Sequence, residues 1–420
     1  MRFSLLSLLV AATLAQQIQP SHTAESLRGV SAVSRQIAWA SGTHGAYLRT
    51  IDGGRTWIPA QVPDATALDF RAVIAFSADE AFLMSAGPGD QSRIYHTTDA
   101  GQHWHLQFTN ANPKGFFDSM AFWDAKHGIV LGDPIPDESG KLKFEILLTD
   151  DGQTWHPIPS SQLPEAIDGE GAFAASNSCI AVLPSIAPHS SVSTPPPIST
   201  PPIASLPLRV TWKSGASAPR NPSQKDGASA PEGDPNIWFA TGGKVARVFH
   251  SPDRGQTWQV TDTPILHGPE SAGVFSIAFR DATHGVIAGG DYKHPNQDGP
   301  NLAFTDDGGK TWTLSPLKPQ AYFSAVAYDR KVTVDAMANE AIEAKIEEKK
   351  EAKKKKKIKP IPPERLFILG QDFVFDFRPP ADPQRTSPRK NSGIKFNAVT
   401  SYPEGGALIV GAKGAIVTIP

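Results

Sequence analysis

The chain has 420 residues, 40% of them hydrophobic, which is enough to bury one large core or two medium ones. Its 40 basic and 42 acidic residues nearly cancel, which excludes the strong global field by which a protein recruits nucleic acid or an acidic membrane. The 35 glycines and 38 prolines favour a β protein with many turns over a helical one.

The N-terminus has the pattern of a secretory signal. Arg2 precedes the charge-free run FSLLSLLVAATLA, and Thr13 and Ala15 are the small residues before the expected cleavage point. We therefore predict a signal peptide at residues 1–15 and an exported mature protein, periplasmic or secreted, with a single domain over residues 16–420. A buried first helix is the alternative. No later stretch has the roughly 18 apolar residues of a membrane span.

One eight-residue phrase occurs five times. TIDGGRTW begins at residue 50, and the variants TTDAGQHW, LTDDGQTW, SPDRGQTW and TDDGGKTW follow, with 47, 51, 103 and 54 residues between successive tryptophans. Three short strand patterns precede the phrase and a fourth follows it. A unit of this kind at this spacing predicts the blade of a β-propeller, an all-β fold.

The residue types of the phrase suit a tight hairpin turn. The aspartate can accept hydrogen bonds from its own turn, the glycine allows a positive φ, and the tryptophan can pack over the neighbouring hairpin. Leu148 occupies the position where the other four copies have serine or threonine. His103 occupies the position where the other four copies have threonine. Copies spread round a ring cannot converge on one substrate, so we assign them a structural role. The assigned residues are Asp52, Gly54, Trp57, Asp99, Gly101, Trp104, Asp150, Gly152, Trp155, Asp253, Gly255, Trp258, Asp307, Gly309 and Trp312.

The repeated phrase is the Asp-box, or bacterial neuraminidase repeat. The fuller string WASGTHGAYLRTIDGGRTW resembles the photosystem II stability/assembly factor-like propellers, and the resemblance covers about residues 26–330 and 395–420. It implies a seven-bladed β-propeller that binds a protein partner, such as a membrane complex under assembly, without catalysis. It implies no cofactor. We expect a monomer.

Two segments interrupt the blade pattern. Residues 184–235 are rich in proline and serine, so we predict a disordered insertion within blade 4, between residues 170–183 and 236–265. Residues 331–364 are rich in lysine and glutamate and predict a charged helical insertion within blade 6. The last residues supply only three strands, and we expect the mature N-terminus, near Gln16–His22, to add the fourth and close the ring. This count gives seven blades, with six or eight as the alternatives.

Propellers usually bind ligands at the mouth of the central channel, where the innermost strands begin. Aligning these strands places one residue per blade in register: Arg28, Arg71, Asp118, Phe275, Phe323, Asn397 and, for blade 4, Glu170 or Gly171. Arg28 and Arg71 come from adjacent blades and could clamp a carboxylate or a polar loop. The alternative is that the charges pair with one another and fill the channel.

Other chemistries have less support in the sequence. The alternative function is a periplasmic glycan-binding or sialidase-like glycoside hydrolase propeller, but the chain lacks a FRIP-like motif and none of its six tyrosines falls in the ring. A third possibility is an adhesin that binds through the lysine-rich segment. His127 and His284 recur in D-x-x-H-G loops that suit turns better than metal ligation. We expect no metal site, and we expect Cys179 to be a core residue.

Overall fold

The computed structural model describes residues 17–183, 234–316, 321–331, 365–377, 389–390 and 394–420. The predicted signal peptide, nearly all of the predicted disordered insertion and all but the first residue of the predicted helical insertion lie outside these residues. The described chain forms seven antiparallel sheets, six with four strands and one with six. The predicted seven-bladed propeller is confirmed.

The blades are numbered in chain order, and the strands of each are given from the innermost to the outermost. Blade 1 has Leu27–Ala32, Ala38–Gly42, Ala46–Thr50 and Ile58–Gln61. Blade 2 has Asp69–Ala75, Ala81–Ala86, Arg93–Thr97 and His105–Thr109. Blade 3 has Phe117–Phe122, Gly128–Pro136, Leu142–Thr149 and His156–Pro157.

The remaining blades contain the interruptions. Blade 4 has Ile180–Val182, Ile237–Ala240, Arg247–Ser251 and Gln259–Asp262. Blade 5 has Ala272–Phe279, Gly285–Asp291, Leu302–Thr305 and Thr313–Leu314. Blade 6 has Phe323–Tyr328, Leu366–Gly370, Phe373–Phe377 and Arg389–Lys390. Blade 7 has Phe396–Ser401, Ala407–Gly411, Ile416–Ile419 and the N-terminal strand Gln17–Gln19.

The core is divided among the spaces between blades. Seven buried hydrophobic clusters each combine residues of two consecutive blades. The second strand of a blade is apolar because both of its faces are covered, and strands such as Ala38–Gly42 and Ala407–Gly411 are buried throughout. Every blade is therefore stabilised by its two neighbours.

Both chain ends close the ring, as predicted. Gln17–Gln19 pairs antiparallel with the C-terminal strand of blade 7. From this strand the Gln19 amide reaches blade 1, where its Oε1 accepts from Trp57 Nε1 at 2.8 Å and its Nε2 donates to the Gly53 carbonyl at 3.1 Å. The N-terminal strand therefore joins the last blade to the first Asp-box.

Four of the five Asp-boxes share one hydrogen-bond pattern. In the first, Thr50 Oγ1 donates to Asp52 Oδ1 at 2.9 Å and accepts from the N–H of Gly54 at 2.9 Å. Asp52 Oδ1 also accepts from the N–H of Thr56 at 2.9 Å. Gly54 has a φ of +80°, which explains the glycine. The turns at Asp99, Asp253 and Asp307 repeat these contacts.

The third Asp-box is one residue shorter, so the assignment of Asp150 is wrong. Thr149 Oγ1 donates to Asp151 Oδ1 at 3.1 Å and accepts from the N–H of Gly152. Asp151 also accepts from the backbone of Gln153 and Thr154. Thr149 therefore occupies the position in the turn that the sequence alignment assigned to Leu148. The hydrogen bonds of the turn, and not the number of residues before Trp155, determine which carboxylate accepts from the N–H groups.

The Asp-box tryptophans all pack between blades. Each belongs to, or packs against, the cluster shared by its own blade and the preceding one. Trp57 is only 1% exposed, and Trp104 contacts Trp39 and Tyr47 of blade 1 edge to face. The Asp-box is thus a turn that holds adjacent blades together.

Blade 4 begins later than the sequence suggested. Glu170–Gly171 pairs with Gly242–Gly243, which continues to Gly273 of blade 5. The innermost strand of blade 4 is Ile180–Val182. The prediction that Glu170 or Gly171 opens this strand is therefore wrong, because these two residues pair with Gly242–Gly243 outside the blade. Glycines 242, 243 and 273 allow this additional pairing.

Candidate functional site

The mouth and the Asp-boxes lie on opposite faces of the propeller. Successive strands of a blade are antiparallel, so the start of the first strand and the turn between the third and fourth strands are at opposite ends of the sheet. The starts of the innermost strands surround the channel at one face, called here the mouth.

A β-bulge marks the mouth in six innermost strands, where the register with the second strand shifts by one residue. A bulge turns a side chain away from the regular pleat, which suits a position facing the channel. The bulged residues are Arg28, Arg71, Asp118, Phe275, Ser324 and Asn397.

Phe323 is therefore wrongly placed in the predicted ring, and Ser324 occupies its position. Phe323 is 1% exposed and belongs to the cluster between blades 5 and 6. It corresponds to Phe70 and Phe117, which precede the bulge in their own strands and are also buried. These innermost strands share the sequence pattern F-x-A/S-V/M. Aligning the phenylalanines of this pattern would have given the correct register.

Two arginines of adjacent blades share one carboxylate at the mouth. Arg71 Nε donates to Asp69 Oδ2 at 3.0 Å, and Arg28 Nε lies 3.6 Å from Asp69 Oδ1. The side chains of Arg28 and Arg71 are still 30% and 29% exposed. Sequence reasoning missed Asp69, although it opens the same strand as Arg71. Two positive groups around one negative group leave the cluster with a net positive charge.

A short segment of the chain crosses the mouth. Residues Ala172–Asn177, called here the plug, run between Glu170–Gly171 and the innermost strand of blade 4. The N–H of Ala172 donates to Asp133 Oδ1 of blade 3 at 3.0 Å, and the carbonyl of Ala174 accepts from Arg71 Nη1 of blade 2 at 2.8 Å. Asn177 Oδ1 accepts from the N–H of Met120 of blade 3 at 2.7 Å.

The plug also reaches the opposite side of the ring. The rings of Phe173 and Phe275 of blade 5 are stacked, with centroids 3.9 Å apart. Ser176 Oγ donates to the carbonyl of Ser324 of blade 6 at 2.8 Å. A segment that touches blades 2, 3, 5 and 6 at their bulged ends must lie on the axis. The plug therefore fills part of the mouth.

Carboxyl groups are buried beside the plug. Complete burial raises the pKa of Asp118 well above its usual range, and the charge of Asp133 raises it further, against the opposing effects of Arg71 and Ala174. Burial also raises the pKa of Asp133 to about 6, although Ala172 donates to it. Protonated forms of these groups are therefore favoured more than in solvent.

The mouth thus has two unlike halves. The filled half, around Asp118, Phe275 and Ser324, is covered by the plug. The open half, around Arg28, Asp69 and Asn397, remains partly exposed. Arg71 lies between them. Asn397 Nδ2 donates to the Leu27 carbonyl at 2.7 Å, so it also helps to fix the start of the innermost strand of blade 1.

Several mouth atoms have no hydrogen-bond partner among the described residues. They lie in both halves and are Arg28 Nε, Asp69 Oδ1, Asp118 Oδ2 and Ser324 Oγ. A buried polar atom without a partner costs on the order of 1–3 kcal/mol. Arg28 Nε and Asp69 Oδ1 lie 3.6 Å apart as an ion pair, which offsets part of this cost.

The other candidates have structural roles in this geometry. Glu170 is buried and pairs with Arg247, whose Nη2 donates to its Oε2 at 2.5 Å. The rings of His127 and His284 each bond through Nδ1 to the aspartate three residues earlier, within their turns. Cys179 is fully buried, and burial raises the pKa of its thiol. Within the described ranges no group of three potential ligands is arranged for a metal ion.

The described part of the chain contains no helix that combines the length and the apolar character needed to cross a membrane.

Comparisons with known proteins agree with the fold and with the sequence resemblance. Residues 13–113 match the family model described as photosynthesis system II assembly factor YCF48. The photosystem II assembly protein Ycf48 of Synechococcus sp. (strain JA-2-3B'a(2-13)) is 23% identical over 290 residues, and the match covers 60% of this chain and 78% of that protein.

Two solved structures are similar to this chain. The WD40 β-propeller domain of Doa1 has a TM-score of 0.52 at 9% identity, covering 97% of both chains, and supports the propeller fold alone. A structure of YCF48 bound to D1 peptide has a TM-score of 0.37 at 15% identity, covering 96% of this chain and 94% of that one. The chain is a seven-bladed β-propeller that is similar to the photosystem II assembly factors, as its sequence predicted.

Proposed function

We propose that this protein is an exported, non-catalytic propeller that binds a protein partner through the open half of the mouth, in an assembly or scaffold role. The observation that carries the proposal is the Arg28–Asp69–Arg71 cluster. Its net charge is positive, and the side chains of both arginines remain partly exposed. Such a cluster suits a carboxylate or an acidic loop, which an arginine can bind bidentately.

The resemblance to the photosystem II assembly factors supports the assembly role, since the curated relative carries that name. Export rests on the sequence pattern of residues 1–15, and a monomeric state is part of the same proposal. The glycan-binding or hydrolase alternative is less favoured. Asp118, a carboxyl of the predicted ring, is only 1% exposed beneath the plug and could not reach a sugar in this arrangement.

The test is a crosslinked capture experiment on the envelope of the native host. Wild type is compared with the Arg28→Glu/Arg71→Glu variant and with the milder Arg28→Gln/Arg71→Gln variant. We expect wild type to capture a discrete membrane protein and both variants to lose at least nine-tenths of it. Each variant must first melt like wild type, because Asp69 loses its partners.

A matched control changes the same amount of charge on the other face. Arg55→Glu/Lys126→Glu alters two exposed side chains near the Asp-boxes and should capture as much as wild type. Equal capture by all variants, or none by any of them, would contradict binding at the mouth, and glycan substrates would then be tested.

A further inference from the structure

The plug contacts the mouth as a bound peptide would. One of its backbone N–H groups and one of its carbonyls are held by the side chains of Asp133 and Arg71, from two different blades. Its single aromatic side chain, Phe173, stacks on Phe275 of blade 5. Backbone recognition on one side and an aromatic contact on the other are the features by which a groove holds an extended segment.

Both ends of the plug are fixed independently of it. The Glu170 carboxylate accepts from Arg247 and from Thr241 Oγ1, the latter at 2.7 Å. The carbonyl of Cys179 accepts from the N–H of Ala240 at 2.9 Å, within blade 4. The residues between these anchors can therefore leave the mouth as a loop without any blade unfolding.

The seated plug makes mainly polar contacts with the blades. Apart from Phe173 and Asn177, its side chains are alanines and one serine, which bury little apolar area. Asn177 has a φ of +56°, a conformation that is unusual for a residue other than glycine. With the plug in place, Asp118 Oδ2 and Ser324 Oγ still lack partners in the described structure. An extended segment that supplies the same polar groups and one aromatic ring could therefore take the place of the seated plug.

We propose that the plug is an internal competitor, an autoinhibitory contact that occupies the filled half of the mouth until an extended segment of the partner displaces it. This inference rests on the proposed function, because it assumes that the partner binds at the mouth. Displacement opens Arg71, Asp118 and Phe275 to the incoming segment and joins the two halves of the mouth into one surface.

The experiment uses the plug sequence itself as the probe, since the partner is not identified. A fluorescein-labelled peptide of residues 171–178, GAFAASNS, is titrated with the full chain, and its anisotropy is measured. Phe173→Ala/Asn177→Gly removes the stacking ring and the Asn177 side-chain contacts of the resident plug. We expect this variant to bind the peptide at least tenfold more tightly than wild type, whose own plug excludes it. Phe173→Ala alone serves if the double variant does not fold.

Two controls locate the bound peptide. A peptide of reversed sequence should bind at least tenfold more weakly, and adding Phe275→Ala to the double variant should remove most of the gain. The inference is overturned if the folded double variant binds the peptide no better than wild type, whether both bind it or neither does.

Partner capture separates this inference from the proposed function. If the double variant captures at least tenfold more partner than wild type, both are supported. Capture that depends on Arg28 and Arg71 but is equal in wild type and the double variant would keep the proposed function and overturn the plug as competitor. Peptide binding without capture of any partner would keep the plug and overturn the proposed function.

Discussion

The two faces of the propeller are built from different kinds of contact. On the Asp-box face, each turn is closed by hydrogen bonds between residues at most four positions apart, as between Asp52 and Thr56. At the mouth, the plug's contacts join residues far apart in the chain, as between Arg71 and Ala174, and only blades 1 and 2 have the same residue type at the bulge. Repetition on one face serves stability, whereas variety on the other face is consistent with the proposal that the mouth recognises one partner.

The faces also differ in how they treat carboxylates. Backbone hydrogen bonds lower the pKa of Asp151 to about 2 in its exposed turn. Burial raises the pKa of Asp133 to about 6 at the mouth. The Asp-box face therefore stabilises its charged carboxylates, whereas burial at the mouth disfavours the charged form of Asp133.

The largest expected effect is on the Asp-box face. Trp57→Ala removes a 1% exposed indole from the space between blades 7 and 1 and leaves the Gln19 amide without its donor. We expect the free energy of unfolding to fall by about 3–5 kcal/mol, measured by urea denaturation. Ile58→Ala, at a side chain 53% exposed on the same strand, is the control and should change it by less than about 0.5 kcal/mol. Similar losses in both would mean that the tryptophan does not close the ring.

The mouth should respond to pH in a direction set by Asp133. Its folded pKa lies above the ordinary value, so folding favours proton uptake and the wild type gains stability as pH falls from about 7 towards 4. The gain is up to about 3 kcal/mol from a shift of roughly two pKa units. Asp133→Asn removes this contribution while its Oδ1 still accepts from Ala172. Denaturation at pH 8 and pH 4.5 should show the variant more stable than wild type at pH 8, with the difference shrinking at pH 4.5.

The opposite result would overturn that account of the mouth. If the variant is less stable than wild type at pH 8, the carboxylate of Asp133 is stabilised by its surroundings rather than penalised by burial.

A smaller effect distinguishes two neighbouring carboxylates. Asp151→Ala removes the acceptor of the third Asp-box and should lower the free energy of unfolding by about 1 kcal/mol at pH 7. Asp150→Ala changes an exposed side chain that pairs with His156 and not with the N–H groups of the turn, and it should leave the free energy of unfolding nearly unchanged. The pKa of Asp151 is lowered, so its contribution is present above about pH 4 and is lost as pH falls through about 2. A larger loss for Asp150 would restore the register that the sequence suggested.

Much of the fold was predictable because its signals are local. The residues of each Asp-box lie within eight positions of one another. The number of blades followed from the spacing between successive Asp-boxes, together with three further strand patterns near the C-terminus. The errors came where local pattern leaves a choice. Asp150 and Asp151 both fit the phrase, and only the hydrogen bonds to Thr149 and Gly152 select one. Phe323 and Ser324 differ by one register step, which turns a side chain from the cluster between blades to the channel.

The candidate site was predictable only in part. Arg28 and Arg71 were found because each opens an innermost strand in the same register. Asp69, which joins them, and the plug, which covers Asp118 and Phe275, were not found. The segment GEGAFAAS has the small and apolar residues of an innermost strand, so its sequence does not show that it leaves the sheet.

The sequence by itself determined the propeller, its turns and the closure by both chain ends, because periodic apolar strands and Asp-box turns form from neighbouring residues. Only the tertiary structure decided which mouth groups are open and which are covered. Those contacts join residues about a hundred positions apart, and their geometry exists only after the ring has closed.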